Sequence, residues 1–271
     1  MIVSQSSVVS VTSLSADYFV IAFDAPQIAP LCKPGHFLNF RIENNYDILL
    51  RRPMAVFDVD GSIVKSLIKV VGKGTRWLSQ RRVGDQLNVI GPLGNGFFDA
   101  QNARRIFIVA GGVGLAPLYF YLKKARSFSV ETIFFYGART ANHLLFIDDL
   151  QEFSTQCVFI TEDGSFGEKG LSTDILESYC EKVNLSAQND IVMSCGPNPM
   201  LFRVAQFAES KQIPCQVSLE SYMGCGGGVC LSCVIPARSY EQDGQAFFKL
   251  CTDGPVIDSR RIDMKFFTMA H

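Results

Sequence analysis

Arg104–Pro117 reads RRIFIVAGGVGLAP. Its first half is a short run of β-branched and aromatic residues with no polar alternation, the pattern of a strand buried on both faces. A glycine turn follows, and an apolar-periodic helix then runs through Leu118, Tyr119, Leu122 and Lys123. The same alternation continues downstream in TIFFYGA, QCVFITED and DIVMSCGP, and in a helix beginning near Pro199. Strands alternating with helices imply a parallel sheet. The glycines Gly111, Gly112 and Gly114 stand where a strand passes into a helix, a place that permits close approach of a dinucleotide. As a bare motif the loop is also consistent with a tight turn that binds nothing, since the full G-x-G-x-x-G is absent. A later strand ends in Cys195-Gly196-Pro197, and in a parallel sheet both strand ends open onto the same carboxyl edge, where ligands bind.

Upstream the pattern changes. VVSVTSLS, YFVIAFDA, HFLNFRI, MAVFDVD, SIVKSLIKVV and QLNVIGPLG are short β-rich runs separated by Gly, Pro and Asp, as in an antiparallel barrel or sandwich. Arg51-Arg52-Pro53-Met54-Ala55 follows an apolar strand, and Gly72-Lys73-Gly74-Thr75 precedes a helical stretch. A Gly-Thr step there offers a phosphate free amides, a hydroxyl and a favourable dipole. The plain alternative is that Thr75 only caps the helix and the arginines are solvated.

Downstream, MGCGGGVCLSCVIP and KLCTDGP place Cys225, Cys230, Cys233 and Cys251 in a C-x4-C-x2-C…C spacing. That is the plant-type ligand pattern of a 2Fe–2S cluster, in which each iron takes two thiolates. Zinc also takes four thiolates, but structural zinc sites pair two short knuckles. Here three ligands share a loop and the fourth stands alone, 18 residues after Cys233. Gly226, Gly227 and Gly228 let backbone amides face the sulfurs, where a Cβ would obstruct. The other cysteines, Cys32, Cys157, Cys180, Cys195 and Cys215, are scattered and read as small buried hydrophobes. The segment after QVSLES is too short and too rich in Gly and Cys for an ordinary core, so it needs the cluster as a staple.

The expected division is 1–100 for the β-barrel, 101–215 for the α/β domain and 216–271 for the cluster module. At 271 residues, 48% apolar and 19% charged, the chain can bury several cores. A net charge of −1 gives no reason to invoke nucleic acid or anionic lipid. No apolar run of membrane-spanning length exists. Three histidines and no paired-carboxylate or Ser-His-Asp pattern leave no candidate general acid or base.

In this order the segments PGHF, LLRRPMAV, VGKGT, GDQLNVIGPLGNGF, VAGGVGLAPL, FYGAR, TEDGSFGEKG, SCGPNPM, LESYMGCGGGVCLSCV and CTDGPV resemble the ferredoxin–NADP reductase superfamily. Within it they resemble the electron-transfer subunits of NAD-dependent (class 1B) dihydroorotate dehydrogenases. The resemblance implies a multidomain β and α/β chain: an N-terminal antiparallel flavin-binding β-barrel, a parallel-sheet nucleotide-binding domain and a small C-terminal 2Fe–2S module. It implies FAD and one 2Fe–2S cluster as cofactors, with NAD as diffusible substrate. The implied partner is an FMN-containing catalytic subunit that oxidises dihydroorotate in cytoplasmic pyrimidine (UMP) biosynthesis, in a heterotetramer of two of each chain. Alone the chain would be an NADH:acceptor oxidoreductase with no dihydroorotate oxidation. The same domains also build gamma-type subunits of hydrogenases and ferredoxin-dependent NAD(P) reductases, and a zinc-stapled binding module is the non-redox alternative.

Residue by residue, the resemblance assigns Arg52, Pro53, Met54 and Ala55 to the flavin ring and phosphate, and Leu67, Ile68 and Lys69 to the strand beside FAD. Gly74 and Thr75 would cradle the pyrophosphate. Gly111, Gly112 and Gly114 would approach NAD, with Cys195, Gly196 and Pro197 beside the nicotinamide. The four cysteines would be the cluster ligands. Ala55 stands where the family usually has Ser or Thr, and His36 where it usually has Gln. Glu162 and Asp163, closing a strand, predict NAD over NADP, because a carboxylate bonds ribose and repels a 2′-phosphate; Arg139, at the end of the preceding strand, is the counter-candidate that would bind that phosphate. Tyr222, Met223, Val229 and Leu231 read as apolar residues presented to a partner, the plain alternative being that they only shield the cluster from water.

Overall fold

Period-two burial builds the N-terminal unit in the computed structural model, which describes residues 1–42, 48–239, 244 and 246–268. Its strands are β1 (Ile2–Ser13), β2 (Tyr18–Asp24), β3 (Phe37–Arg41), β4 (Arg52–Ala55), β5 (Asp58–Asp60), β6 (Ile63–Lys69) and β7 (Gln86–Leu93). They form one antiparallel sheet in the order β4-β3-β7-β1-β2-β6-β5. Alternate residues such as Phe19, Ile21, Phe23, Leu38, Phe40, Leu87 and Val89 fill its interior. MAVFDVD reads as one strand but is two, and the break curls the sheet. The Val56 amide still donates to His36 on the β3 side, while the Phe57 amide donates to Lys65 on the β6 side. A single segment therefore supplies both edge strands of the sheet, β4 beside β3 and β5 beside β6. Helix α1 (Lys73–Ser79) covers one end, with Leu78 fully buried in the core.

The second unit is a mixed, mainly parallel sheet. In chain order it comprises β8 (Arg105–Gly111), α2 (Leu115–Ala125), β9 (Glu131–Ala138), α3 (Ile147–Phe153), β10 (Gln156–Thr161), β11 (Glu168–Lys169), α4 (Ser172–Glu181), β12 (Asp190–Cys195), α5 (Asn198–Ser210) and β13 (Cys215–Ser218). Phe107 and Val109 pack with Leu176 and Leu201 on one face, Ile106 and Ile108 with Leu118 and Leu122 on the other. Both faces of β8 are thus covered, as its uninterrupted apolar run requires. The strand order reverses between β8 and β12, so their carboxyl ends flank a crevice.

The last segment makes a short hairpin of β14 (Val234–Pro236) and β15 (Phe247–Lys249). Then β16 (Val256–Asp258) pairs antiparallel with β13 and becomes the edge of the second sheet. Ile235, Phe248 and Leu250 join the hydrophobic cluster that contains Leu201, Val204 and Val217. This segment borrows its core from the α/β unit.

The barrel and the α/β unit meet through packed side chains. Phe57 stacks on Tyr119 with ring centroids 4.3 Å apart. Asp58, buried between the units, accepts from Lys65 at 2.9 Å and from Lys123 at 2.8 Å. A carboxylate taken out of water needs such partners to remain charged.

Candidate functional site

At the reversal point of the second sheet lies a cavity of about 490 Å³. Gly111, Gly112, Gly114, Gly196 and Pro197 line it together with Lys69 and Tyr18 of the barrel. The glycine loop owes part of its sequence to packing. A Cβ on Gly114 would stand 2.3 Å from the Cys195 carbonyl, and one on Gly111 would meet Met200 and Pro197 at 2.8 Å. These two glycines let the loops after β8 and β12 touch. Gly112 differs: its φ is +55° and its nearest neighbour would be the Tyr18 hydroxyl at 3.9 Å, so it faces the open cavity. The Tyr136 hydroxyl donates to the Gly112 and His143 carbonyls and braces the loop from below.

Cys195 stands behind the cavity wall. Its thiol is buried, and desolvation raises its pKa above the ordinary thiol range. Glu162 and Arg139 both line the cavity. Asp163 does not: its carboxylate accepts from the amide and hydroxyl of Ser165, bonds that hold its pKa low. Of the acidic pair at this strand end, only Glu162 lines the cavity. Sequence reasoning missed Arg203 and Glu220, which also line the cavity. Arg203 comes from α5 and is ion-paired with Asp174 and Glu177 of α4. Glu220 has no ion pair among the described residues, and desolvation raises its pKa. Its signal lay in the LES motif, but a lone carboxylate after a strand has no periodicity to mark it.

On the barrel, Arg52, Pro53, Met54 and Ala55 form β4, each half-buried. Arg52 lies against the start of α1, where a Cβ on Gly74 would come within 3.0 Å of its Nε. A guanidinium beside first-turn amides that lack helical partners suits a phosphate. Thr75 is buried, and its hydroxyl is spent locally: it accepts from the Val71 and Gly72 amides at 2.9 and 3.2 Å. The hydroxyl contribution expected from Thr75 is therefore a cap, which leaves its backbone for a ligand. Leu67 and Ile68 are 2% and 1% exposed, so only their backbone can border a flavin. Arg51 is not solvated either; it donates to the carbonyls of Asn39 and Asn88 at 3.1 Å and to the Asn88 side chain, tying β3 to β7. His36 accepts from the Lys33 amide at 3.1 Å, and burial lowers its pKa, in keeping with a turn residue.

The four cysteines come together as two pairs. Cys225 and Cys230 are exposed and linked reciprocally, each amide donating to the other's sulfur at 3.3 and 3.4 Å. Cys233 and Cys251 are buried and their thiols interact. Further amides point inward, from Gly227 to the Cys225 sulfur at 3.3 Å and from Gly228 to the Cys251 sulfur at 3.1 Å. The fold reaches this geometry through positive φ at Gly226 (+68°) and Gly228 (+80°), which β-carbons oppose. Ser232 and amide donors lower the Cys230 pKa to about 6. Burial and the neighbouring Cys233 raise that of Cys251 to about 11, the repulsion a bound cation relieves. Among the described residues, no group of three or more His, Cys, Asp or Glu side chains is arranged to hold one metal ion. Zinc needs all four sulfurs on one ion, whereas a two-iron core needs two on each. The donor set fits the latter.

Around this loop Tyr222, Val229 and Leu231 are exposed at 76%, 83% and 47%. Met223 corrects the expectation for this group. It is 9% exposed and belongs to the core with Cys233 and Leu250, because the module takes its apolar interior from this side.

Comparison with known proteins decides the family. A model of the iron–sulfur cluster binding domain of dihydroorotate dehydrogenase B matches residues 220–263, and one of the oxidoreductase NAD-binding domain matches 108–206. The dihydroorotate dehydrogenase B (NAD(+)) electron transfer subunit of Desulforamulus reducens is 32% identical, over 96% of this chain and 98% of its own length. The protein of the same name from Caldanaerobacter subterraneus is 37% identical over 82% of this chain and 84% of its own. The chain belongs to this family of electron transfer subunits. Among solved structures, an NADH-dependent reduced ferredoxin–NADP oxidoreductase superposes with a TM-score of 0.85 at 27% identity, covering 98% of this chain and 92% of its own. A Neisseria gonorrhoeae ferredoxin NADP+ reductase with bound FAD and NADP shares the fold, with a TM-score of 0.66 at 15% identity over 77% of this chain and 91% of its own. The chain thus carries the iron–sulfur cluster binding and NAD-binding domains of this electron-transfer family on a ferredoxin–NADP reductase-like fold.

Proposed function

We propose that this chain is the electron-transfer subunit of a dihydroorotate dehydrogenase B. It would link an FMN-bearing catalytic subunit to NAD through a 2Fe–2S cluster and FAD, in cytoplasmic pyrimidine synthesis. The observation that carries the reading is the pairing of the four thiols, three from one glycine loop and Cys251 from a later turn, with backbone amides of the loop facing the sulfurs of Cys225, Cys230 and Cys251. Flavin exchanges electrons with a nicotinamide as a pair and with a cluster singly, which is why all three carriers are needed.

Cys225 and Cys230 would hold one iron, Cys233 and Cys251 the other, with the Gly227 and Gly228 amides favouring the more negative, reduced state. Arg52 and the Gly74–Thr75 backbone would bind the flavin phosphates. Pro53, Met54, Ala55 and the backbone of Leu67, Ile68 and Lys69 would flank the ring system. Gly111, Gly112 and Gly114 with Cys195, Gly196 and Pro197 would shape the nicotinamide pocket, and Glu162 would take the adenosine ribose. Three units are read at 1–100, 101–215 and 216–271, although β13, which starts at Cys215, and β16 both belong to the sheet of the second.

Tyr222, Val229 and Leu231 support docking of the catalytic subunit over the exposed thiol pair, in a complex of two of each chain. Among the described residues no helix is long and apolar enough to cross a membrane. Isolated under anaerobic conditions, the chain should carry both flavin and iron–sulfur absorption and reduce dyes with NADH, yet be inert with dihydroorotate. Adding the FMN subunit should restore dihydroorotate:NAD turnover, and Val229→Asp should weaken that assembly while sparing NADH–dye activity. A colourless zinc protein, or dihydroorotate oxidation by the chain alone, would sink the reading. The ferredoxin-coupled relative favours a second partner class, which an assay with reduced ferredoxin in place of the FMN subunit separates.

A further inference from the structure

Asn39 is fully buried in β3, and among the described residues neither of its side-chain atoms, Nδ2 nor Oδ1, has a hydrogen-bond partner. Its backbone is well employed: the carbonyl accepts from Arg51, and the residue pairs with Pro53 of β4. Its side chain points out of the barrel toward the cysteine loop. A Cβ on Gly226 would stand 2.7 Å from Asn39 Nδ2 and 3.4 Å from a Leu93 methyl. Gly226 sits between Cys225, a proposed ligand, and Gly227, whose amide already donates to the Cys225 sulfur. A buried amide with no partner is costly, and the glycine opposite it removes the one side chain that would screen it from the loop.

We propose that Asn39 is the barrel's hydrogen-bond donor to the iron–sulfur cluster, raising its reduction potential and fixing its place relative to the flavin segment on the neighbouring strand β4. The inference rests on the cluster assignment above. A donor to sulfur stabilises the more negative, reduced form, so its loss lowers the potential. The residue would thereby join the two sites, with its backbone beside Pro53 and its side chain at the cluster.

The test uses the full chain, isolated anaerobically with its cofactors from cells fed asparagine carrying 15N only at the side chain. Pulsed EPR of the reduced cluster should show a 15N coupling that disappears in Asn39→Leu. The variant should keep its iron, and its cluster potential should fall by an amount equal to about a tenfold change in the reduced-to-oxidised ratio, or about 59 mV for one electron. Its flavin potential should not move. An unchanged or raised cluster potential in Asn39→Leu overturns the proposal. If that variant fails to load iron, the 15N experiment on the unsubstituted chain decides by itself. A normal 2Fe–2S signal without coupling overturns the role of Asn39 alone, whereas a chain with no such signal overturns the cluster assignment with it.

Discussion

Two regions of this molecule, the packed α/β unit and the glycine loop, treat the same thiol in opposite ways. In the α/β unit Cys157, Cys180 and Cys215 have their pKa pushed up to about 12 by burial, with few donors to offset it. In the loop, Cys230 meets a serine hydroxyl and backbone amides at the surface, and its pKa falls to about 6. Desolvation disfavours a thiolate and hydrogen bonds favour it, so the environment rather than the residue type separates filler from ligand. Cys251 lies between the two extremes. It is buried and beside Cys233, yet supplied with the Gly228 amide, a thiol that becomes a good ligand only when a cation arrives.

The largest expected effect comes from removing a ligand. Cys251→Ser should lower iron content and the 2Fe–2S EPR signal at least tenfold, because the borrowed core of the last segment cannot hold the loop without its metal. Cys157→Ser should leave iron unchanged; equal losses in the two variants would erase the contrast. Next in size, Gly228→Ala should destabilise the loaded protein by about 1–2 kcal/mol, the cost of a left-handed residue. The contact of its Cβ with Thr252 at 2.9 Å should add to that cost. Gly61→Ala, at φ +57° with nothing nearby, isolates the backbone share. Thermal melts of the two variants measure the difference.

A pH experiment on the metal-free chain sharpens the contrast further. Between about pH 6 and 9 the unfolded Cys230 thiol is protonated while the folded one is ionised. The unfolded state binds more protons there, so the stability Cys230 contributes is complete above about 9 and is lost as pH falls through about 6. Alkylation at pH 7 should accordingly label Cys230 and spare Cys180; equal labelling would contradict the assigned environments. The smallest effect belongs to the cavity. Glu162→Gln should narrow the preference for NADH over NADPH by a few-fold to tenfold in a dye-reduction assay, since one repulsive contact is removed. A wild-type chain that favours NADPH would show that Arg139 governs this edge instead.

Much of the arrangement was legible in the chain. β8 announced itself because a strand covered on both faces must be apolar throughout, and Ile106, Phe107, Ile108 and Val109 leave no other choice. The cysteine spacing was legible because three of the four thiols share one short stretch of chain. The two edges served by residues 52–60 were not, since no local pattern says which side of a strand will pair. The inward turn of Met223 was hidden for a similar reason: an apolar residue in a glycine loop looks the same whether a partner or a core covers it. Arg203 and Glu220 reach the cavity from elements far apart in sequence, so neither carries a local mark of the site.

The sequence by itself thus determined the three kinds of unit, the four thiols and the glycines at tight strand–helix turns. All are set by local sterics, periodicity and ligand spacing. Tertiary structure alone decided that the thiols divide into an exposed and a buried pair, that Glu162 rather than Asp163 faces the cavity, and that Asn39 meets Gly226 across two units. Those outcomes depend on which distant surfaces pack together, a property of whole folded interfaces that no short stretch of chain encodes.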